Sequence, residues 1–387
     1  MDVYQCHEWQ AVDRLLTPEE QAAVNELSSH IEVGPSRAVV SYHWSDFRHD
    51  PKQVLLKYFD AYFYLANWGS LRLMFRFPEG LLDAADLEPY CVDETITFEA
   101  IGRYQVLDLD FGPEDGGRWM EAEAGLAHFV RLRADLLEGD CRLLYLAWLK
   151  AMTSYGDGDA DEGCEGDAPD LAAQDREPPV PPGLRELSPS LQSFVRVFEI
   201  DPFLVQAAAE ASPDRGKTLT AGYGTLIGRL PREECDDFLT RLAEGDPGVG
   251  PALRKRLGTF LPQEHPQLAR RRTIRELFLR AEQLAKAEQQ RQAEAARQKH
   301  IAEMKALAAS EAQAWRQVET LLDAGRKIAS VYDQATTSLV RLEQLAEFQD
   351  TRCSFQARLD QLAQKYASRP SLLDRWRKRG WLPEPGA

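Results

Sequence analysis

The chain has 387 residues, 44% of them hydrophobic, and a formal net charge of −16 at pH 7. That length allows two or three domains, and the charge argues against a protein that coats nucleic acid or an anionic membrane along its whole surface. No run of 18 or more apolar residues is present, so no transmembrane helix is expected.

The N-terminus (Met1-Asp2-Val3-Tyr4) has no basic n-region followed by an apolar core, so no signal peptide is expected there, and a cytoplasmic location follows by default. The six cysteines (Cys6, Cys91, Cys141, Cys164, Cys235 and Cys353) show no C-x-x-C spacing. That is the pattern of reduced cysteines in a cytosolic protein, not of a disulfide framework or zinc finger.

Residues 3–9 are apolar and aromatic enough for a strand. Thr17-Pro18-Glu19-Glu20 opens a helix, with Thr as N-cap, Pro at the first helical position and acids in the first turn. Residues 38–42 read as a second strand. Asp50-Pro51 starts a second helix, whose apolar positions Val54, Leu55, Tyr58, Tyr62, Leu65 and Ala66 are spaced by three and four, and which ends at Gly69. Residues 71–77 alternate at period two, as a strand with one wet face does. A hairpin follows over 95–100 and 104–109. Residues 141–152 form an apolar, buried helix. Together these give a mixed α/β sheet domain over 1–153.

Residues 154–182 read as a disordered acidic linker with a stiff proline-rich end. A small helical domain over 183–269 is expected from helices near 190–199, 202–210, 232–244 and 250–259. From 270 onward the chain is a long helix and helical arm. Residues 273–322 contain neither Pro nor Gly, which permits one helix of about 75 Å. Its apolar seam fades in a polar middle and resumes at Ile301, Met304 and Trp315. The fold class expected is α+β, mainly α overall.

Charge follows this division. Residues 270–387 hold 22 Lys/Arg and 15 Asp/Glu; the rest of the chain holds 24 and 47. The basic positions concentrate at Arg270, Arg271 and Arg272 and at Arg375, Trp376, Arg377, Lys378 and Arg379, the candidates for binding a partner or nucleic acid. Trp376 would supply a stacking surface. A solvated helix end, where cations suit the C-terminal macrodipole, and an acidic surface of a partner or of the chain itself are the alternative readings of these cations.

Catalysis has weaker signals. His43, Asp46 and His49 lie in one short loop after a strand, and such donors suit a metal or acid/base site. Asp108, Asp110, Glu114 and Asp115 form an acidic group at a strand end. Neither spacing fixes a ligand set, and no nucleophile elbow, P-loop or dinucleotide fingerprint is present. No cofactor and no metal ligands are assigned.

Two tracts carry a resemblance. Tyr42-His43-Trp44-Ser45-Asp46-Phe47 with residues 58–69 resembles a family of bacterial proteins with no assigned activity. Residues 332–347, 355–366 and 369–375 resemble the helical tail of some bacterial SWIM zinc-finger proteins. The SWIM signature, C-x-C followed by C-x-H, is absent, so its zinc and DNA binding do not carry over. The resemblance implies a bacterial, cytoplasmic protein with an interaction tail. The expected function is a non-enzymatic scaffold or regulatory protein that docks a protein partner through its helical arm. The alternatives are a nucleic-acid-associated protein using the basic arm and a metal-dependent hydrolase centred on His43, Asp46 and His49. Oligomeric state is left open.

Overall fold

The computed structural model describes residues 4–43, 45–112, 125–156, 176–214, 223–246, 248–260, 271–323 and 329–383. The protein is mixed α+β and mainly helical. It divides into two compact units, Met1–Ala285 and Lys286–Ala387.

The first unit is built on seven strands: β1 (Gln5–Gln10), β2 (Ile31–Val33), β3 (Arg37–Tyr42), β4 (Ala61–Ala66), β5 (Leu71–Pro78), β6 (Ile96–Ile101) and β7 (Tyr104–Phe111). They form one sheet in the order β2-β3-β1-β4-β5-β7-β6. The pairings are all antiparallel, where the sequence suggested a mixed sheet.

The helix starts lie where capping chemistry placed them. In α1 (Pro18–Asn25), Thr17 accepts from the Glu20 amide and the Glu20 side chain accepts from the Thr17 amide, a reciprocal capping box. In α2 (Pro51–Tyr58), the Asp50 carboxylate caps the Lys52 amide at 2.8 Å. The expectation for the rest of that helix fails. Helix α2 ends at Tyr58, Phe59 is extended, and residues 61–66 are strand β4. Its register puts Ala61, Phe63 and Leu65 on one face of the sheet and Tyr62 and Tyr64 on the other. Both faces are covered, so the strand reads as a continuous apolar run and its period is hidden. Gly69 (φ 99°) then serves the β4–β5 hairpin, not a helix end.

One face of the sheet is covered by α4 (Val130–Leu137), α5 (Arg142–Gly156), α6 (Pro189–Val197) and α7 (Pro202–Ala211). Phe63, Phe75, Leu109, Leu144, Phe194 and Phe198 belong to this core. Helix α3 (Ala84–Leu87) lies in the connection to β6. The opposite face carries a second core of Trp9, Tyr62, Met74 and Val106 with Val24 of α1 and Leu55 of α2.

Helices α6 and α7, expected in a separate bundle, therefore belong to the sheet domain's core. Only α8 (Tyr223–Ile227), α9 (Arg232–Ala243) and α10 (Val249–Gly258) share a small cluster of their own, around Leu226, Leu230 and Leu257.

The linker reading also changes. Residues 157–175 lie outside the described residues, but residues 176–182 are placed. Glu177 is buried, its amide donates to the Arg272 carbonyl at 3.0 Å, and Arg176 bridges Thr273.

The next helix, α11 (Ile274–Ala309), begins in the first unit's core through Leu277 and Ala281. The division between the units thus falls inside α11, not at 269/270. The 273–322 stretch is also not one helix. It breaks at Ser310, whose hydroxyl bonds the Ala306 carbonyl at 3.2 Å. Such back-bonding competes with the regular ladder and bends helices.

The second unit comprises the remainder of α11 with α12 (Glu311–Asp323), α13 (Ala329–Phe348), α14 (Arg352–Lys365) and α15 (Pro370–Lys378). Its core contains Trp315, Leu339, Leu342, Phe355, Leu359 and Trp376. Among the described residues, no helix is long and apolar enough to cross a membrane.

Candidate functional site

The loop after β3 does not gather its histidines. His43 is exposed and meets the Tyr4 ring edge-on at 5.4 Å, while His49 is exposed and lies against Phe47 at 5.5 Å. Asp46 accepts from Gln5 Nε2 at 2.6 Å. Among the described residues, no three His, Cys, Asp or Glu side chains are grouped to hold a metal ion. Trp44 lies outside the described residues.

Beneath this loop is a histidine that the sequence analysis did not single out. His7 of β1 is 6% exposed and ringed by Trp9, Tyr42, Phe47, Tyr62 and Tyr64. Its Nδ1 and the Tyr62 hydroxyl are 2.9 Å apart, and among the described residues its Nε2 has no hydrogen-bond partner. Burial pushes its pKa down to about 4, against the weaker pull of the Asp46 carboxylate. The imidazole is therefore neutral at physiological pH. It is enclosed by aromatic rings, so it serves the fold more readily than solvent chemistry. The period-two run Gln5, His7, Trp9 was the available signal, since it puts all three on one face of β1.

The acids at the end of β7 are matched by cations. Asp108 accepts from Arg72 at 2.7 Å and pairs with Lys52 at 2.9 Å, and Asp110 lies 3.3 Å from Arg72. Burial raises the Asp108 pKa, but Arg72 and Lys52 outweigh it and hold the carboxyl below its ordinary value. Burial raises that of Asp110. Glu114 and Asp115 lie outside the described residues.

The basic tracts divide in the same way. Arg270 lies outside the described residues, and Arg271 is exposed. Arg272 is held internally: its Nε and Nη2 donate to Glu177 at 2.8 Å each, and its Nη1 donates to the Ala207 carbonyl at 2.8 Å. The Tyr145 hydroxyl also donates to Glu177. At the other tract, Trp376 is fully buried, which corrects its expected role as a stacking surface; it anchors the core of the second unit. Arg375 pairs with Asp333 at 2.7 Å and Arg377 with Asp374 at 2.8 Å. Lys378 and Arg379 are exposed, and among the described residues neither makes an ion pair.

A small groove lies on a different surface of the second unit. Helices α12, α13 and α14 enclose a cavity of about 100 Å³. Buried Trp315, Leu342 and Phe355 lie behind it, and the polar side chains of Glu311, Gln349, Thr351, Ser354 and Arg358 line it. The Arg358 guanidinium lies over the Trp315 ring, 4.7 Å from its centroid, and the indole N–H donates to Glu311 at 3.2 Å. Stacking of this kind fixes a planar cation at modest entropic cost. The sequence showed the apolar seam through Trp315, but not the groove, whose lining comes from three separate helices. Comparisons with protein-family models, with curated proteins and with solved structures found no match.

Proposed function

We propose that the protein is a non-enzymatic docking or regulatory scaffold whose C-terminal helical unit engages a protein partner. The observation that carries this reading is a C-terminal helical unit with a core of its own, which bears the exposed cations Lys378 and Arg379. The test compares capture of partners by the full chain and by a chain ending at Ala285, which keeps Arg272, Leu277 and Ala281 in place. Partners held by the full chain and lost from the shorter one support the reading; equal capture overturns it. Metal-dependent turnover abolished by His43→Ala or Asp46→Ala would also overturn it, in favour of a hydrolase.

A nucleic-acid role for the same unit draws support from Lys378 and Arg379, the exposed members of its basic tract. It predicts binding to DNA or RNA that weakens with salt and with neutralisation of Lys378 and Arg379. Binding unchanged by both removes it.

A further inference from the structure

We propose that residues 45–50 form a flap over His7 that protonation of the imidazole releases, so that acidification uncovers the aromatic face beneath. The inference concerns the first unit and stands apart from partner docking. Three observations point to it.

The first is how the flap is fastened. Alternation along β1 puts Gln5, His7 and Trp9 on one face, and the flap is held to these residues. Gln5 Nε2 donates to the Ser45 carbonyl and to Asp46, both at 2.6 Å. The Phe47 ring lies 5.4 Å from His7 and 5.2 Å from Trp9. Ser45, Asp46, Arg48, His49 and Asp50 are exposed. A segment held by one half-buried ring and the amide of one side chain can open while the sheet stays folded.

The second is that a charge on His7 has no place in the closed arrangement. The side chain is 6% exposed, Nδ1 is engaged by the Tyr62 hydroxyl, and among the described residues Nε2 has no partner. An imidazolium there would bury a cation and leave its Nε2–H donor unpaired.

The third is that little around the ring would offset that charge. The titratable groups facing it are Tyr42 of β3, Tyr62 and Tyr64 of β4 and Asp46 of the flap, while His49 touches Phe47. Burial raises both β4 phenols, Tyr64 to about 12, so they stay uncharged. Arg72, Asp108 and Asp110 act on Tyr62 and pair with one another, and Lys52 of α2 pairs with Asp108. Among the described residues, Asp46 is the one carboxylate that pulls His7 toward its charged form, and burial outweighs it.

A proton that binds the open flap better than the closed one favours opening. With His7 titrating near 6.5 when solvated and about 4 when covered, the open population rises about tenfold between pH 7.5 and 5.5.

The experiment follows deuterium exchange at the His7 ring carbon between the two nitrogens by mass spectrometry of the full chain across pH, which gives the ring's titration midpoint. Gln5→Leu and Phe47→Ala, which loosen the flap, should move that midpoint up toward 6.5. Leu144→Ala, in the core on the sheet's other face, should leave it in place. Amide exchange at Lys52, Gln53 and Val54, which bond Asp50 at the flap's end, should quicken about tenfold from pH 7.5 to 5.5 after correction for intrinsic rates, and His7→Phe should abolish that change. A wild-type midpoint near 6.5 overturns the proposal. So does a midpoint unmoved in both flap variants, an equal shift in Leu144→Ala, or amide exchange at 52–54 that responds to pH no differently in His7→Phe.

Discussion

His7 carries a pH dependence that follows from its surroundings. In the folded chain its pKa is pushed down to about 4, whereas in the unfolded chain it titrates near 6.5. As pH falls below that unfolded value, the unfolded state takes up the proton first, so stability declines through the window between 6.5 and about 4. The full effect is of order 3 kcal/mol. Urea titrations across this range should show the decline, and His7→Phe should flatten it. Asp60 gives a second expectation at this scale. Its buried carboxylate accepts from the Val12 and Asp13 amides at 2.7 and 3.0 Å and pairs with the buried Arg76 at 2.6 Å. Asp60→Ala would strand all three donors and should destabilise the first unit by about 3–5 kcal/mol. A smaller loss in chemical denaturation would show that water reaches the site.

Elements differ in how openly the sequence declares them. The starts of α1, α2, α6 and α7 were legible because capping is local: Thr17, Asp50, Ser188 and Asp201 each bond an amide two or three residues on. Strand β4 was not, because burial on both faces removed the alternation that marks a strand, leaving only its aromatic content as a signal. The partner of Arg272 was equally hidden, since Glu177 lies 95 residues away and in a segment whose composition suggests disorder. That pair holds the start of α11 to the first unit. Arg272→Ala leaves a buried carboxylate without its cation and should lower stability by about 3 kcal/mol or more. Amide exchange should quicken over residues 273–281. Unchanged exchange there would mean that Leu277 and Ala281 hold the helix unaided. The groove was the least legible feature, because residues from 311 to 358 form it only after three helices have packed.

For the whole molecule, two compact units with separate cores imply two unfolding events. Calorimetry of the intact chain should show more than one transition. Trp376→Ala removes a fully buried side chain from the core of the second unit, a loss of about 3–5 kcal/mol, and should move one transition while sparing the other. A single transition displaced as a whole would show that the units unfold together. Between Leu284 and Ile301, helix α11 has a stretch, residues 291–300, in which every residue is exposed. Arg291 and Gln292 bond Glu288, and for the other side chains helix propensity is the main constraint on the choice of residue. Over evolutionary time such positions should drift freely among Ala, Gln, Glu, Lys and Arg, and a homologue's variation there would carry little information. Proline is the exception, at about 3 kcal/mol for a helix interior. Its exclusion from residues 291–300 across diverged sequences would be the mark of selection for an unbroken helix, acting where individual side chains are under little selection.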